Sequence, residues 1–121
     1  MIIRIITTLQ YYLQGLAEVG TMCDPLKSCS IIEDNGISAA YTIAHELGHV
    51  FSLPHDDHSR CAKYNTGNTE DNVMSPQLDH NISPWSWSKC SAVLLTKFIE
   101  FHGMSDRQAS CKKVYSTDQP C

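Results

Sequence analysis

Ala40, Ile43, Ala44, Leu47, Val50 and Phe51 recur at the three- and four-residue spacing of one helical face. Ser38, just after the Asp34-Asn35-Gly36 turn, is placed to cap such a helix, and Pro54 ends the pattern. A mostly buried helix over residues 38–51 is therefore predicted. A second stripe, Cys90, Val93, Leu94, Lys97, Phe98 and Phe101, predicts a helix over residues 88–101, with Gly103 as its stop. The N-terminal third reads differently. Ile, Thr and Tyr dominate residues 1–12, which predicts a β-strand whose partner is not obvious in the chain. Residues 16–22 and 30–33 are short apolar runs separated by a Cys-bounded loop, whose Asp24-Pro25 step suits a turn, so two further strands are predicted. Residues 56–72 are polar and aperiodic, which predicts an irregular segment. Strands followed by helices make the class α+β.

Composition narrows what such a domain can do. With 121 residues, 42% of them apolar and 18% charged, the chain is the size and balance of one globular domain. Nine basic residues stand against thirteen acidic ones, for a net charge of −4, and the longest basic run is Lys112-Lys113. Nothing here would track a phosphate backbone, so no nucleic-acid partner is expected. The longest apolar stretches are too short to cross a bilayer, so no transmembrane segment is expected, and no secretory signal is visible. Six cysteines without a C-x-x-C pair (Cys23, Cys29, Cys61, Cys90, Cys111 and Cys121) favour a disulfide framework over a thiolate metal site. That implies an oxidising, extracellular setting; the pairing itself is one of about fifteen that six cysteines allow.

The chemistry lies in the stretch His45-Glu46-Leu47-Gly48-His49, continued to His55-Asp56. Residues four apart share one face of a helix, so His45 and His49 can present two imidazole nitrogens to a single zinc ion. Pro54 turns the chain back, which lets His55 supply a third nitrogen. Three protein ligands leave a fourth position for water, the arrangement of a catalytic and not a structural zinc site. Glu46 is then placed to act as the general base on that water. His58, His80 and His102 are assigned no chemistry. Asn81-Ile82-Ser83 is a formal glycosylation acceptor, followed at once by Pro84.

The extended zinc motif resembles the metzincin signature, and Val73-Met74-Ser75-Pro76 resembles its Met-turn, in which Met74 would lie beneath the three-His site as an apolar floor. Asp56 directly after the third His points to the reprolysin branch. The residues Gly15-Leu16-Ala17-Glu18-Val19-Gly20-Thr21-Met22-Cys23-Asp24-Pro25, together with residues 28–34 and 45–57, resemble the catalytic domains of ADAMTS proteases.

This resemblance implies the C-terminal part of a metzincin catalytic domain: an edge strand, an active-site helix, an irregular Met-turn segment and a C-terminal helix. It divides the chain into a non-matching segment 1–14, a partial catalytic domain 15–104 and a poorly matching tail 105–121. It implies pairing of Cys61 with Cys90 and of Cys23 with Cys111, and leaves Cys29 and Cys121 without assigned partners. It also implies a secreted zinc metalloendopeptidase whose extracellular protein substrate pairs along residues 16–20, from Leu16 to Gly20. The calcium sites usual in the family find no support here. Ser52 departs from the Gly or Asn usual at its position, at about 1 kcal/mol of turn strain. Family domains also carry a long N-terminal part, so the chain is expected to be a fragment or a truncated product with an incompletely covered helix. Two rivals to the enzyme follow: an inactive zinc-binding fragment that acts through protein contacts, and a disulfide-rich binding module whose His cluster is incidental.

Overall fold

A computed structural model of the chain describes residues 2–6, 14–24, 26–65, 72–77 and 86–103. Among these described residues three strands form one sheet: β1 (Ile2–Ile6), β2 (Gly15–Ala17) and β3 (Cys29–Glu33), in the order β1-β3-β2. Two helices follow, α1 (Ala39–Val50) and α2 (Lys89–Gly103). The missing partner of the first strand is β3. It runs parallel to β1, with Ile2 opposite Cys29 and Ile6 opposite Glu33. A parallel pair is separated by a long connection, which is why local pattern did not reveal it.

Along β3 the side chains alternate, with Ser30 and Ile32 buried and Cys29, Ile31 and Glu33 partly exposed, the period-two signature of a strand covered more fully on one face. Helix α1 packs against β2 and β3. Strand β2 lies at the other edge of the sheet, antiparallel to β3, with Leu16 opposite Ile31. The predicted strand over residues 16–22 is therefore shorter than expected. Regular pairing ends at Ala17, because the chain bends through Gly20 at φ +77° and the Thr21 hydroxyl donates to the Glu18 carbonyl at 2.8 Å. Beyond the bend, the backbone N–H groups of Gly20 and Met22 donate to the carbonyls of His49 and Val50 at 2.9 and 3.1 Å. The edge strand is thereby tied to the end of the helix that carries the histidines.

A short 3₁₀ turn, Gly36–Ser38, leads into α1. Ser38 holds the cap position without capping. Its backbone is already helical, and its hydroxyl donates back to the Asn35 carbonyl at 3.0 Å. At the other end, Leu53 N–H donates to Gly48 O at 3.0 Å and Ser52 sits at φ +70°, the one non-glycine residue at positive φ among the described residues. Asn tolerates that region better than Ser. Ser52→Asn should therefore stabilise the chain by about 0.5 kcal/mol. A thermal melt at or below that of the unmutated chain would remove the strain argument.

The core is small. Leu53, Val73 and Met74 are buried together, with Ala44, Phe51, Leu94 and Leu95 packed around them. Phe51 meets Phe98 edge to face at 5.5 Å, which joins α1 to α2. The predicted α2 stripe is inward only in part: Cys90 is fully buried, whereas Phe101 is 56% exposed. The Cys61–Cys90 disulfide closes a 29-residue separation, worth about 3–4 kcal/mol on the chain-entropy account, and fixes the irregular loop to the start of α2. Cys23 and Cys29 are also disulfide-bonded. Cys111 and Cys121 lie outside the described residues, as do Asn81 and His80.

Candidate metal centre

Helix α1 carries His45 and His49 one turn apart. Past Val50 the chain reverses through Ser52 and Pro54 and brings His55 back beneath them. The ring centroids then stand 4.8 Å (His45 to His49), 5.1 Å (His45 to His55) and 4.8 Å (His49 to His55) apart. His55 Nε2 lies 3.2 Å from His45 Nε2 and 3.2 Å from His49 Nε2. The outer nitrogens explain the orientation. His45 Nδ1 is 2.6 Å from the Val73 carbonyl, and His49 Nδ1 is 2.9 Å from the Leu53 carbonyl. A carbonyl oxygen only accepts, so each Nδ1 must carry the proton and each Nε2 must present a lone pair.

Two lone-pair nitrogens thus face His55 Nε2 at distances that suit a hydrogen bond, yet that nitrogen has at most one proton to give, and to one neighbour only. A cation resolves this repulsion. Zn–N bonds of about 2.0–2.1 Å in a tetrahedron place ligand nitrogens about 3.3 Å apart, close to the 3.2 Å that separates His55 Nε2 from each of the other two. These three rings form a group that could hold a zinc ion. Burial works in the same direction. It lowers the His45 pKa to about 4, against a smaller raising effect of the Val73 carbonyl, and the charges of His49 and His55 lower it further. Burial likewise lowers the His49 pKa. Both rings are then neutral, and able to ligate, at physiological pH.

Glu46 sits beside the rings and is 6% exposed. Burial pushes its carboxyl up to about 7, a shift that a cation held by the imidazoles would oppose. The carboxyl and the three rings open onto a cleft of ≈ 640 Å³, lined also by Gly15 and Leu16 of β2 and by Pro76 beyond Met74. Met74 itself is fully buried below α1. A Cβ on Gly48 would collide with Met74 Sδ, so the absent side chain is what lets this floor approach the helix.

Asp56 is the residue whose role the sequence did not disclose. It is 3% exposed, its backbone N–H donates to the Met74 carbonyl at 2.8 Å, and its Oδ1 accepts from the Ser88 hydroxyl and from Asn65 Nδ2 at 3.3 Å. Asn65 in turn accepts from the Cys90 N–H at 3.2 Å. One residue therefore links three places: its backbone N–H ties the loop behind the third histidine to the Met74 turn, and its carboxylate ties it to the start of α2. Its partners come from distant parts of the chain, and only the motif position of Asp56 hinted at any importance. His58 accepts a local bond from the Arg60 N–H at 3.1 Å, and His102 stacks on Phe98 at 4.3 Å, so both lie away from the cluster.

The sequence is similar over residues 2–111 to a family described as reprolysin (M12B) family zinc metalloprotease. Among curated proteins, it is 62% identical over 87 residues to a disintegrin and metalloproteinase with thrombospondin motifs gon-1 of Caenorhabditis elegans, covering 71% of this chain and 4% of that protein. It is 55% identical over 86 residues to a disintegrin and metalloproteinase with thrombospondin motifs 20 of Mus musculus, covering 71% of this chain and 4% of the relative. The member numbered 1 from Homo sapiens is 50% identical over 86 residues, 71% of this chain and 9% of its own length. The chain thus spans less than a tenth of each of these relatives.

Proposed function

The chain belongs to the reprolysin (M12B) family of zinc metalloproteases, and from that premise we propose that it carries a metalloendopeptidase site. In this reading His45, His49 and His55 hold one zinc ion, Glu46 is the general base and Met74 is the floor. The single observation that carries it is the convergence of three Nε2 atoms, two of them aimed by the Val73 and Leu53 carbonyls, beside a buried carboxyl in an open cleft. A zinc ion held there supplies Lewis-acid activation of a water and of the scissile carbonyl.

The protein's own residues do the rest. Glu46 takes a proton from the attacking water, the water oxygen bonds to the carbonyl carbon, and Glu46 passes the proton to the amide nitrogen as the C–N bond breaks. The edge of β2, which continues toward Gly20, would hold an extended peptide by backbone pairing. Leu16 and Val19, each 56% exposed, line that edge. Secretion and extracellular protein substrates belong to the same proposal. They are supported by the disulfides, which persist in an oxidising setting. Pairing of Cys23 with Cys111 and the division at residues 15 and 104 are likewise proposed.

The test is to measure zinc content and cleavage of a broad fluorogenic peptide on the same 121-residue preparation. About one zinc per chain, with cleavage lost on chelation and restored by zinc, is expected, and His49→Ala should lower zinc affinity by at least about 100-fold. Zinc uptake without cleavage would overturn the peptidase reading in favour of an inactive zinc-binding fragment. No zinc uptake would overturn the site itself.

A further inference from the structure

Gly15 joins the two halves of the cleft. It is the first residue of β2, and a Cβ built on it would stand 2.7 Å from Glu46 Cγ, 2.7 Å from Glu46 Oε1 and 2.8 Å from the Thr42 methyl. All three distances are shorter than real Cβ contacts, so strand β2 reaches the helix only because position 15 has no side chain. The pressure falls unequally on the two neighbours. Thr42 is β-branched, 2% exposed and one helical turn before Glu46, which leaves its methyl little room to turn away. The Glu46 side chain, by contrast, is unbranched and reaches toward the open cleft. Any group added at Gly15 therefore moves the carboxyl.

We infer that Gly15 is a positioning residue for Glu46: its bare backbone is the wall that sets where the carboxyl stands relative to the three histidines. The inference rests on the peptidase reading and deepens it, since the strand proposed to hold the substrate is then also the surface that places the base. A misplacement of about 1 Å at a reacting group can cost up to about 100-fold in rate.

Gly15→Ala should lower kcat by about 10- to 100-fold while KM and zinc affinity, read by chelator competition, stay within about twofold. In the metal-free chain, an NOE from the Gly15 α-protons to the Glu46 γ-protons is expected. A thermal cycle isolates the Glu46 contact: Gly15→Ala should lower Tm by about 4 °C or more beside Glu46, and by measurably less in a Glu46→Asp background, where the shorter side chain withdraws and only the crowding against Thr42 remains. Folding of the double variant when Gly15→Ala alone fails would support the same conclusion. An unchanged kcat, a parallel loss of zinc affinity, a missing NOE, equal Tm losses in both backgrounds, or failure of both variants to fold would each overturn it. An unmutated chain that binds zinc without cleaving peptide refutes the peptidase, whereas the NOE and the thermal cycle still decide whether Gly15 sets the position of Glu46.

Discussion

Glu46→Gln is expected to abolish peptide cleavage by the zinc-loaded chain, a loss of about 100- to 10,000-fold, while zinc content stays unchanged. Gln keeps the volume and the unbranched shape of Glu, so the packing against Gly15 and Thr42 survives, but an amide cannot accept a proton from water and hand it to a leaving amine. The three imidazoles converge without help from residue 46, since His45 and His49 are aimed by the Val73 and Leu53 carbonyls and His55 by the turn after Pro54. Nor should the fold suffer. Glu46 is a buried carboxyl whose charged form is disfavoured by burial, and a neutral isostere carries no such cost. The measurement is kcat on one peptide substrate beside zinc stoichiometry and a thermal melt. Cleavage within about tenfold of the unmutated rate would remove Glu46 from the mechanism.

How much of this was legible beforehand follows from the range of each interaction. Helix α1 and its two histidines are a four-residue matter, and the periodicity of Ala40, Ile43, Ala44 and Leu47 placed the helix but not its inward face: Ala39, Thr42, His45, Glu46, Gly48 and Val50 are buried, and Ala40 is exposed. The return of His55 needed only Pro54 and a short turn. Helix α2 was also placed, although Phe101 shows that a stripe predicts an inward face only where a neighbour exists to cover it. What the pattern could not disclose depends on residues far apart in sequence. The carbonyl that aims His45 comes from Val73, 28 positions away, and the hydroxyl on Asp56 comes from Ser88, 32 positions away. The parallel pairing of β1 with β3 is of the same kind. Ser38 illustrates the opposite failure. A good cap residue stood at the right place, but the 3₁₀ turn before it offered its hydroxyl the Asn35 carbonyl instead. The glycines at 15 and 48 are informative through the side chains they exclude, and the neighbours those would have struck, Glu46 and Met74, are brought there by the fold.

Gly48→Ala tests the floor of the site by the sign of its effect. On an isolated helix the change is favourable by about 1 kcal/mol, because Ala is the better helix former. Here the new methyl would collide with Met74 Sδ and stand 3.2 Å from Trp87 Cζ3 and 3.3 Å from Met74 Cε. Met74 is fully buried in the Leu53–Val73–Met74 cluster and has no open space to enter. Crowding of this kind costs about 1–3 kcal/mol in a packed interior, set against the gain of about 1 kcal/mol in propensity, so a net loss of up to about 2 kcal/mol is expected. The displacement would also reach the histidines. Val73 supplies the carbonyl on His45 Nδ1, and the Met74 carbonyl accepts the Asp56 N–H one residue past His55. Zinc affinity should therefore fall about 10-fold, the low end for disturbing the partners that orient metal-ligating imidazoles. Pairing Gly48→Ala with Met74→Ala separates the causes: if crowding against Met74 is responsible, the two losses are not additive, because the second change removes the atoms the first one strikes. A higher melting temperature for Gly48→Ala alone would mean that helix propensity dominates and that the floor does not press on the helix.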